Sequence, residues 1–408
     1  MTLGTRSTYV SLTKRNGAII SGLGIGVAVI LAAIGLASCN GSGSSDAPPA
    51  TPTCNPTTGL GDPLPLCTVQ NPCTRPGPEL GVAEITTSFS VPLCRTTETG
   101  RALFDDGPPL TWTDPDGVTR SACLFAPTGA SSSSRRPLVV WLHGGNGSAD
   151  GVYDFTSLRA KAPAYDLTGD PQRPGFFLLS VHGRNLHYPT EAPRDGNHHD
   201  FYFRDLEQPT RNRDIANVDR LVDNLVATGN VDPRRIYFLG WSNGAFFSQM
   251  YVIARQNIPT PGGNAPAAAV AYTGADPFHN TKTAQSPSCQ LDPYPTSRAP
   301  IFLVSRACDI VACDVPQADG LAAQGTVVAP GHVVSEWQQT LQSTVGNLNV
   351  LRRIVSGTGQ TVTSCTAAAF CTSAIATVNH LRWPDGVADS SGIDHELAML
   401  EFLRNNPR

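Results

Sequence analysis

Two rhythms of apolar and polar positions run along this chain. From about residue 101, short continuous apolar runs recur: Ala122 to Phe125, Leu138 to Leu142, Phe176 to Val181, Ile236 to Leu239, Ala268 to Thr273 and Ile301 to Ser305. Longer amphipathic or Pro/Gly-rich stretches separate them. Continuous runs, unlike strictly alternating ones, suit parallel strands covered on both faces. Their alternation with helical patterns predicts an α/β fold, a mostly parallel central sheet with helices on both faces. One helix is expected where Ile215, Val218, Val222 and Leu225 fall at i, i+3, i+7 and i+10, with Asp214 as its cap and Gly229 past its end. Ala374 to Val378 reads as a late strand. A final helix is expected from Ser391, with Asp394 in a capping-box-like position and Leu397, Leu400 and Leu403 on its apolar face.

The first forty residues follow a different pattern. Lys14 and Arg15 precede an uncharged stretch, Ala18 to Ser38, rich in Ile, Val, Leu, Ala and Gly, which reads as an export signal. It ends in Leu36-Ala37-Ser38-Cys39, which resembles the bacterial lipobox. That resemblance implies cleavage before Cys39, a diacylglycerol thioether on its sulfur, and a mature chain held at the extracytoplasmic face of a membrane by acyl chains. A retained transmembrane anchor is the alternative, since the stretch is long enough to span a bilayer. Residues 39–53, rich in Gly and Ser and then in Pro, read as a tether. The expected organisation is a signal peptide over 1–38, the tether, a cysteine-rich segment over 54–100 and a catalytic domain over 101–408.

Composition narrows the functional classes. Only 15% of the 408 residues are charged and the formal net charge is −4. There is no basic surplus to release counterions from a phosphate backbone, so nucleic acid is not an expected partner. Besides Cys39, ten of the eleven cysteines remain: Cys54, Cys67, Cys73, Cys94, Cys123, Cys289, Cys308, Cys313, Cys365 and Cys371. An even number in an exported chain predicts disulfides, and no C-x-x-C pair occurs to support a zinc ribbon or a redox motif. Local spacing favours Cys308 with Cys313 and Cys365 with Cys371. The four from Cys54 to Cys94 are expected to staple the N-terminal segment.

The candidate chemistry begins after the run Ile236 to Leu239. Gly240-Trp241-Ser242-Asn243-Gly244 follows it directly, and Ala245 to Arg255 then has helix-forming composition. Strand, G-x-S-x-G and helix together form the context of a nucleophilic serine on a sharp turn, where glycines let the backbones pass closely. The helix N-terminus aims N–H groups at a developing oxyanion. Upstream, the run Leu138 to Leu142 ends in His143-Gly144-Gly145-Asn146-Gly147, a loop whose glycines let main-chain N–H groups approach a carbonyl oxygen. The N–H groups of Asn243 and Gly145 are the expected oxyanion donors.

A serine nucleophile of this kind needs a histidine base and an acid, in the chain order Ser, Asp, His. Asp309 lies just past the run Ile301 to Ser305, with Asp276 and Asp314 as competitors. His380, after Ala374 to Val378, is preferred as base over His395, which reads as a surface residue of the final helix. His198-His199-Asp200 is read as a loop near the site's mouth rather than as metal ligands, and His182 as a hydrogen-bonded structural residue. No metal and no cofactor are expected.

These residues resemble the secreted poly(3-hydroxybutyrate) depolymerase and feruloyl esterase family of α/β-hydrolases, from about residue 118 to the C-terminus. The matching motifs are Leu142-His143-Gly144, Val231-Asp232-Pro233-Arg234-Arg235-Ile236-Tyr237 before Ser242, Asp309 after a late strand, and His380 just before Trp383-Pro384. The resemblance implies an α/β-hydrolase fold and a serine esterase with Ser242, His380 and Asp309 as its triad. It also implies ester substrates, either polyhydroxyalkanoate-type polyesters or feruloyl and acetyl esters of polysaccharides. A serine peptidase of the same fold and a non-catalytic surface lipoprotein that binds polymer or glycan are the alternatives.

Overall fold

The apolar runs become the core of one eight-stranded sheet. Its strands are β1 (Leu110–Thr113), β2 (Thr119–Phe125), β3 (Arg136–Leu142), β4 (Phe177–Val181), β5 (Val231–Trp241), β6 (Ala268–Tyr272), β7 (Ile301–Arg306) and β8 (Val350–Val355). The computed structural model describes residues 83–84 and 91–408 except 116, 189–193, 202, 281–288, 291–294, 308, 310–333, 344, 357–373 and 389–390. The expected signal peptide, the tether, Cys39, Cys54, Cys67, Cys73, Cys308, Cys313, Cys365 and Cys371 lie outside these residues.

The spatial order is β1-β2-β4-β3-β5-β6-β7-β8. β1 pairs antiparallel with β2, and β2 with β4, while every other neighbour is parallel. Every residue of β3, β4, β6 and β7 is buried. Successive side chains of a strand point to opposite faces, and this divides the core in two. Leu138, Val140 and Leu142 pack with Ile215, Val218, Val252, Ile253 and Trp337, whereas Val139 and Trp141 pack with Leu158, Met399, Leu400 and Leu403. The first face is covered by α1 (Arg213–Ala227), α2 (Asn243–Asn257) and α3 (Val334–Ser343). The second is covered by the turn Leu158–Lys161 and by α5 (Glu396–Asn405); α4 (Ala374–His380) precedes α5 in the chain. This is the α/β-hydrolase arrangement the sequence predicts.

Four local expectations are corrected. Asn212, not Asp214, caps α1: its side chain accepts from the N–H of Asp214 and of Ile215. The Asp214 carboxylate is engaged instead by the buried Arg184 at 2.8 Å. Residues Ala374–His380 form helix α4 rather than a strand, since a short apolar run fits either state and the tertiary surroundings decide. The eighth strand is Val350–Val355, at the sheet edge, with alternating exposure. α5 begins at Glu396 with His395 at its N-cap position; the Ser391 hydroxyl instead accepts from Ile393 N–H.

Cys94 is bridged to Cys123 in β2, with Cα atoms 5.2 Å apart. Cys94 is therefore not available to pair within the 54–94 group as the sequence suggested. The bridge ties residues 91–107 to the sheet. Asp150 accepts from Leu93 and Cys94 N–H, and Asp154 from Thr97 and Glu98 N–H. Outside the main sheet, Arg184–Tyr188 and Arg194–His198 form an antiparallel pair with Ala83–Glu84 at its edge.

Candidate active site

Ser242 stands between the end of β5 and the start of α2, with φ 52° and ψ −116°. A non-glycine residue in this region costs on the order of 1–3 kcal/mol and persists only where its surroundings over-determine it. They do so here. The Ser242 N–H donates to Tyr272 O of β6 at 2.9 Å. A Cβ on Gly240 would overlap the Gly244 carbonyl, and one on Gly244 would overlap the Leu142 carbonyl. Both glycines of G-x-S-x-G are thus required by close backbone approach, as the motif implies.

The structure brings Ser242, His380 and Asp309 together. His380 Nε2 lies 2.8 Å from Ser242 Oγ, and His380 Nδ1 lies 3.1 Å from each oxygen of Asp309. With the Nδ1 proton donated to the carboxylate, Nε2 is the acceptor for the serine hydroxyl. Asp309 is fully buried beyond the end of β7, and His380 ends α4. Of the competitors, Asp276 caps its own turn through Phe278 N–H at 2.8 Å, and Asp314 lies outside the described residues. His395 donates its main-chain N–H to Pro384 O at the start of α5.

The segment after His380 is held from several sides. Trp241 Nε1 donates to His380 O at 3.0 Å, and Asn379 Nδ2 to Ala307 O at 3.0 Å. Trp383 is fully buried against Trp241 and Tyr272, with ring centroids 5.9 and 5.0 Å away. Its indole N–H donates to Glu396, which also accepts from Ser157 N–H and Lys161 Nζ. Burial pushes the Glu396 carboxyl up to about 7, with Lys161 drawing it back down.

Behind the oxyanion loop lies a cluster of imidazoles, with His143, His198 and His199 buried and His182 half-buried, whose packing together sequence reasoning missed. His143 Nδ1 donates to Gly144 O at 2.7 Å, while Nε2 accepts from Gly183 N–H at 2.9 Å. Burial, together with His182, pushes His143 down to about 3, and burial alone pushes His182 down to about 4. His199 is held well below its ordinary range by burial and by His143. These rings are neutral at pH 7. His182 is structural, as expected. His198, His199 and Asp200 are buried instead of forming an open loop at the mouth, because Asn243 and Asp214 engage the main chain of His199 and Asp200. The only sequence signal was the polar H-H-D run itself, and the Pro-, Gly- and Asp-containing residues 189–197 before it read as a loop. Among the described residues, no group of three or more His, Cys, Asp or Glu is placed to hold a metal, and no helix is long and apolar enough to cross a membrane.

The sheet order and the turn at Ser242 define the chain as an α/β-hydrolase fold carrying a Ser-His-Asp constellation. No family model and no curated protein matches it. Among solved structures it is similar to a thermostable esterase, at 18% identity over 74% of this chain and 63% of that one, with a TM-score of 0.40. The chain thus spans less than two thirds of that esterase. An acetyl xylan esterase from Aspergillus awamori matches at 14% identity over 59% of this chain and 81% of that one, with a TM-score of 0.38. A bacterial heroin esterase matches at 14% over 74% and 84%, with a TM-score of 0.37.

Proposed function

We propose that this chain is a serine carboxylester hydrolase that works through an acyl-enzyme. The observation that carries the reading is the unbroken contact from Ser242 Oγ through His380 to Asp309, on a strained turn at a helix N-terminus. Ser242 Oγ attacks the ester carbonyl as its proton passes to His380 Nε2, and Asp309 holds the imidazolium. The tetrahedral oxyanion accepts from the N–H groups of Asn243 and Gly145. No described residue accepts a hydrogen bond from the Gly145 N–H, which leaves it available for that role. Collapse breaks the C–O bond and His380 returns its proton to the departing alcohol. Water then attacks the acyl-enzyme with His380 again as base, releasing the acid and restoring Ser242.

The sequence resemblance supports polyhydroxyalkanoate-type polyesters or feruloyl and acetyl esters of polysaccharides as substrates. The lipobox-like Cys39 supports a place on the extracytoplasmic face of a membrane. The reading is tested with the detergent-solubilised full chain, wild type and Ser242→Ala, on p-nitrophenyl esters of graded length, feruloylated and acetylated glycans and polyhydroxybutyrate film. A fluorophosphonate label on Ser242 and hydrolysis within the panel are expected. A wild-type protein that neither labels nor hydrolyses any ester would support the non-catalytic alternative.

A further inference from the structure

The two expected oxyanion donors come from separate parts of the chain, the loop after β3 and the first residue of α2, about a hundred positions apart. An oxyanion hole works only if its donors keep their spacing while charge develops. The run 196–199, at the end of the small antiparallel pair, touches both. On one side, Asn146 N–H donates to Asn197 O at 2.8 Å, and Asn197 Nδ2 donates to Gly147 O at 2.6 Å. His198 lies against Gly145, so close that a Cβ on Gly145 would sit 2.9 Å from its Cε1. A Cβ on Gly196 would overlap the Asn146 carboxamide.

On the other side, His199 N–H donates to Asn243 Oδ1 at 2.7 Å, and Asn243 Nδ2 donates to His199 O at 3.0 Å. The Asn243 carboxamide thereby pairs with one residue of the run as a neighbouring strand would. The His199 ring lies between His143, with centroids 4.5 Å apart, and Phe247 of α2, stacked at 5.4 Å. Asn197 is fully buried, and its amide also meets His182 Nε2 at 3.1 Å.

We propose that residues 196–199 are a brace that sets the spacing of the two oxyanion donors, with the side chains of Asn197 and Asn243 as its positioning residues. The inference rests on the ester-hydrolase reading and adds to it. Asn197 grips the Gly145 loop and Asn243 grips the brace, so loss of either carboxamide lets one donor drift without removing any N–H. Neither side chain needs to touch substrate. The transition state, whose oxygen carries the charge, should therefore lose more than the bound ester does.

The test compares full-chain wild type, Asn197→Ala and Asn243→Ala in three measurements. Steady-state hydrolysis of p-nitrophenyl acetate is expected to show kcat lowered roughly 10–100-fold, less than the 10²–10³ typical for deletion of a donor, with KM within about threefold. The rate of fluorophosphonate labelling should fall by a similar factor, because the phosphorus centre also develops charge on oxygen. Hydrogen exchange of a peptide covering 143–148 should quicken while peptides from β6 and β7 stay unchanged. Should Asn197→Ala fail to fold, Asn243→Ala, which removes two hydrogen bonds at a helix start, carries the same expectations. Folded variants with wild-type kcat and wild-type exchange in 143–148 overturn the brace, as does a raised KM with kcat retained. If the wild type itself neither hydrolyses nor labels, the ester-hydrolase reading fails by itself. The exchange measurement then decides the brace: unchanged protection of 143–148 overturns it, and faster exchange supports it.

Discussion

Replacing both Cys94 and Cys123 by alanine should lower stability by about 4–5 kcal/mol while leaving catalysis intact. The bridge joins residues 29 apart in sequence, and closing a loop of that length removes about 3.5 kcal/mol of unfolded-chain entropy on the chain-entropy model. Both cysteines are 1% exposed, so trimming two packed sulfurs adds about 1 kcal/mol. Alanine is the right substituent because serine would bury two hydroxyls without partners. Residues 91–107 should stay docked, since Asp150 and Asp154 still accept from Leu93, Cys94, Thr97 and Glu98 N–H. Such bonds to a charged acceptor contribute about 1.5–3 kcal/mol each. Urea unfolding of oxidised wild type and variant, followed by tryptophan fluorescence, reads the difference. With a urea m-value of roughly 3 kcal/mol/M, the midpoint should fall by about 1.5 M. Ester hydrolysis without denaturant should match wild type. A midpoint shift worth under about 1 kcal/mol refutes the entropic reasoning, and lost activity in buffer shows that the bridged segment shapes the site itself.

Ser242→Ala and His380→Ala should each lower kcat by at least about 10³-fold with the fold retained, while His395→Ala stays within a few-fold of wild type in the same p-nitrophenyl ester assay. The rings of buried His143 and half-buried His182, at about 3 and about 4, stay neutral in the folded chain while the unfolded chain gains protons below about 6.5, so their share of stability drains as pH falls from 6.5 toward 3. Glu396, raised to about 7, has the opposite sign: stability is lost as pH rises from about 4.5 to 7. Glu396→Gln should therefore remove about 3 kcal/mol of that compensation, and urea midpoints at pH 4.5 and 7 should fall on acidification in the variant more than in wild type. Cys39→Ala should shift the protein from the membrane to the soluble fraction, read by fractionation, without changing specific activity; unchanged attachment would favour a retained transmembrane anchor.

What was legible in the sequence, and what was not, follows from how far apart the determining contacts lie. The buried strands and the turn at Ser242 are specified locally, by continuous apolar runs and by glycines whose need is steric. Edge strand β8 was overlooked because Arg352 and Arg353 separate Val350-Leu351 from Ile354-Val355, as an edge strand with alternating exposure allows, which leaves no continuous apolar run to find. The segment before His380 was expected as a strand and is helix α4, yet His380 meets Ser242 all the same. The reason is that chain order constrains which residue closes the site, whatever the state of the residues leading to it. Asn212 outcompeted Asp214 as cap because Arg184, thirty residues upstream, takes the aspartate. His198 and His199 were unreadable for the same reason: His199 is held by Asn243, more than forty residues downstream, and His198 lies against Gly145, more than fifty residues upstream.

The strain at Ser242 and the two sets of anchors around it belong to one problem. A serine projected from a sharp turn costs on the order of 1–3 kcal/mol, and the hydrogen bond to Tyr272 O lies within the same sheet that makes the turn sharp. That contact fixes the hydroxyl but neither partner it needs. His380 arrives from a segment pinned by Trp241, Trp383, Glu396 and Arg306, the last donating to Tyr272 Oη and to Arg382 O. The donor loop arrives from the opposite side, pinned by Asn197 and, through His199, to Asn243. Tyr272 therefore serves two ends: its carbonyl holds the serine, and its hydroxyl donates to Arg382 O near the histidine. Because these anchors converge on one strand end, a perturbation there should move nucleophile and base together and preserve their 2.8 Å contact, whereas a perturbation of the 196–199 run should move the donors relative to both. Loss of the 196–199 anchors should therefore weaken oxyanion stabilisation while proton transfer between Ser242 and His380 is kept, a separation that kinetics can read.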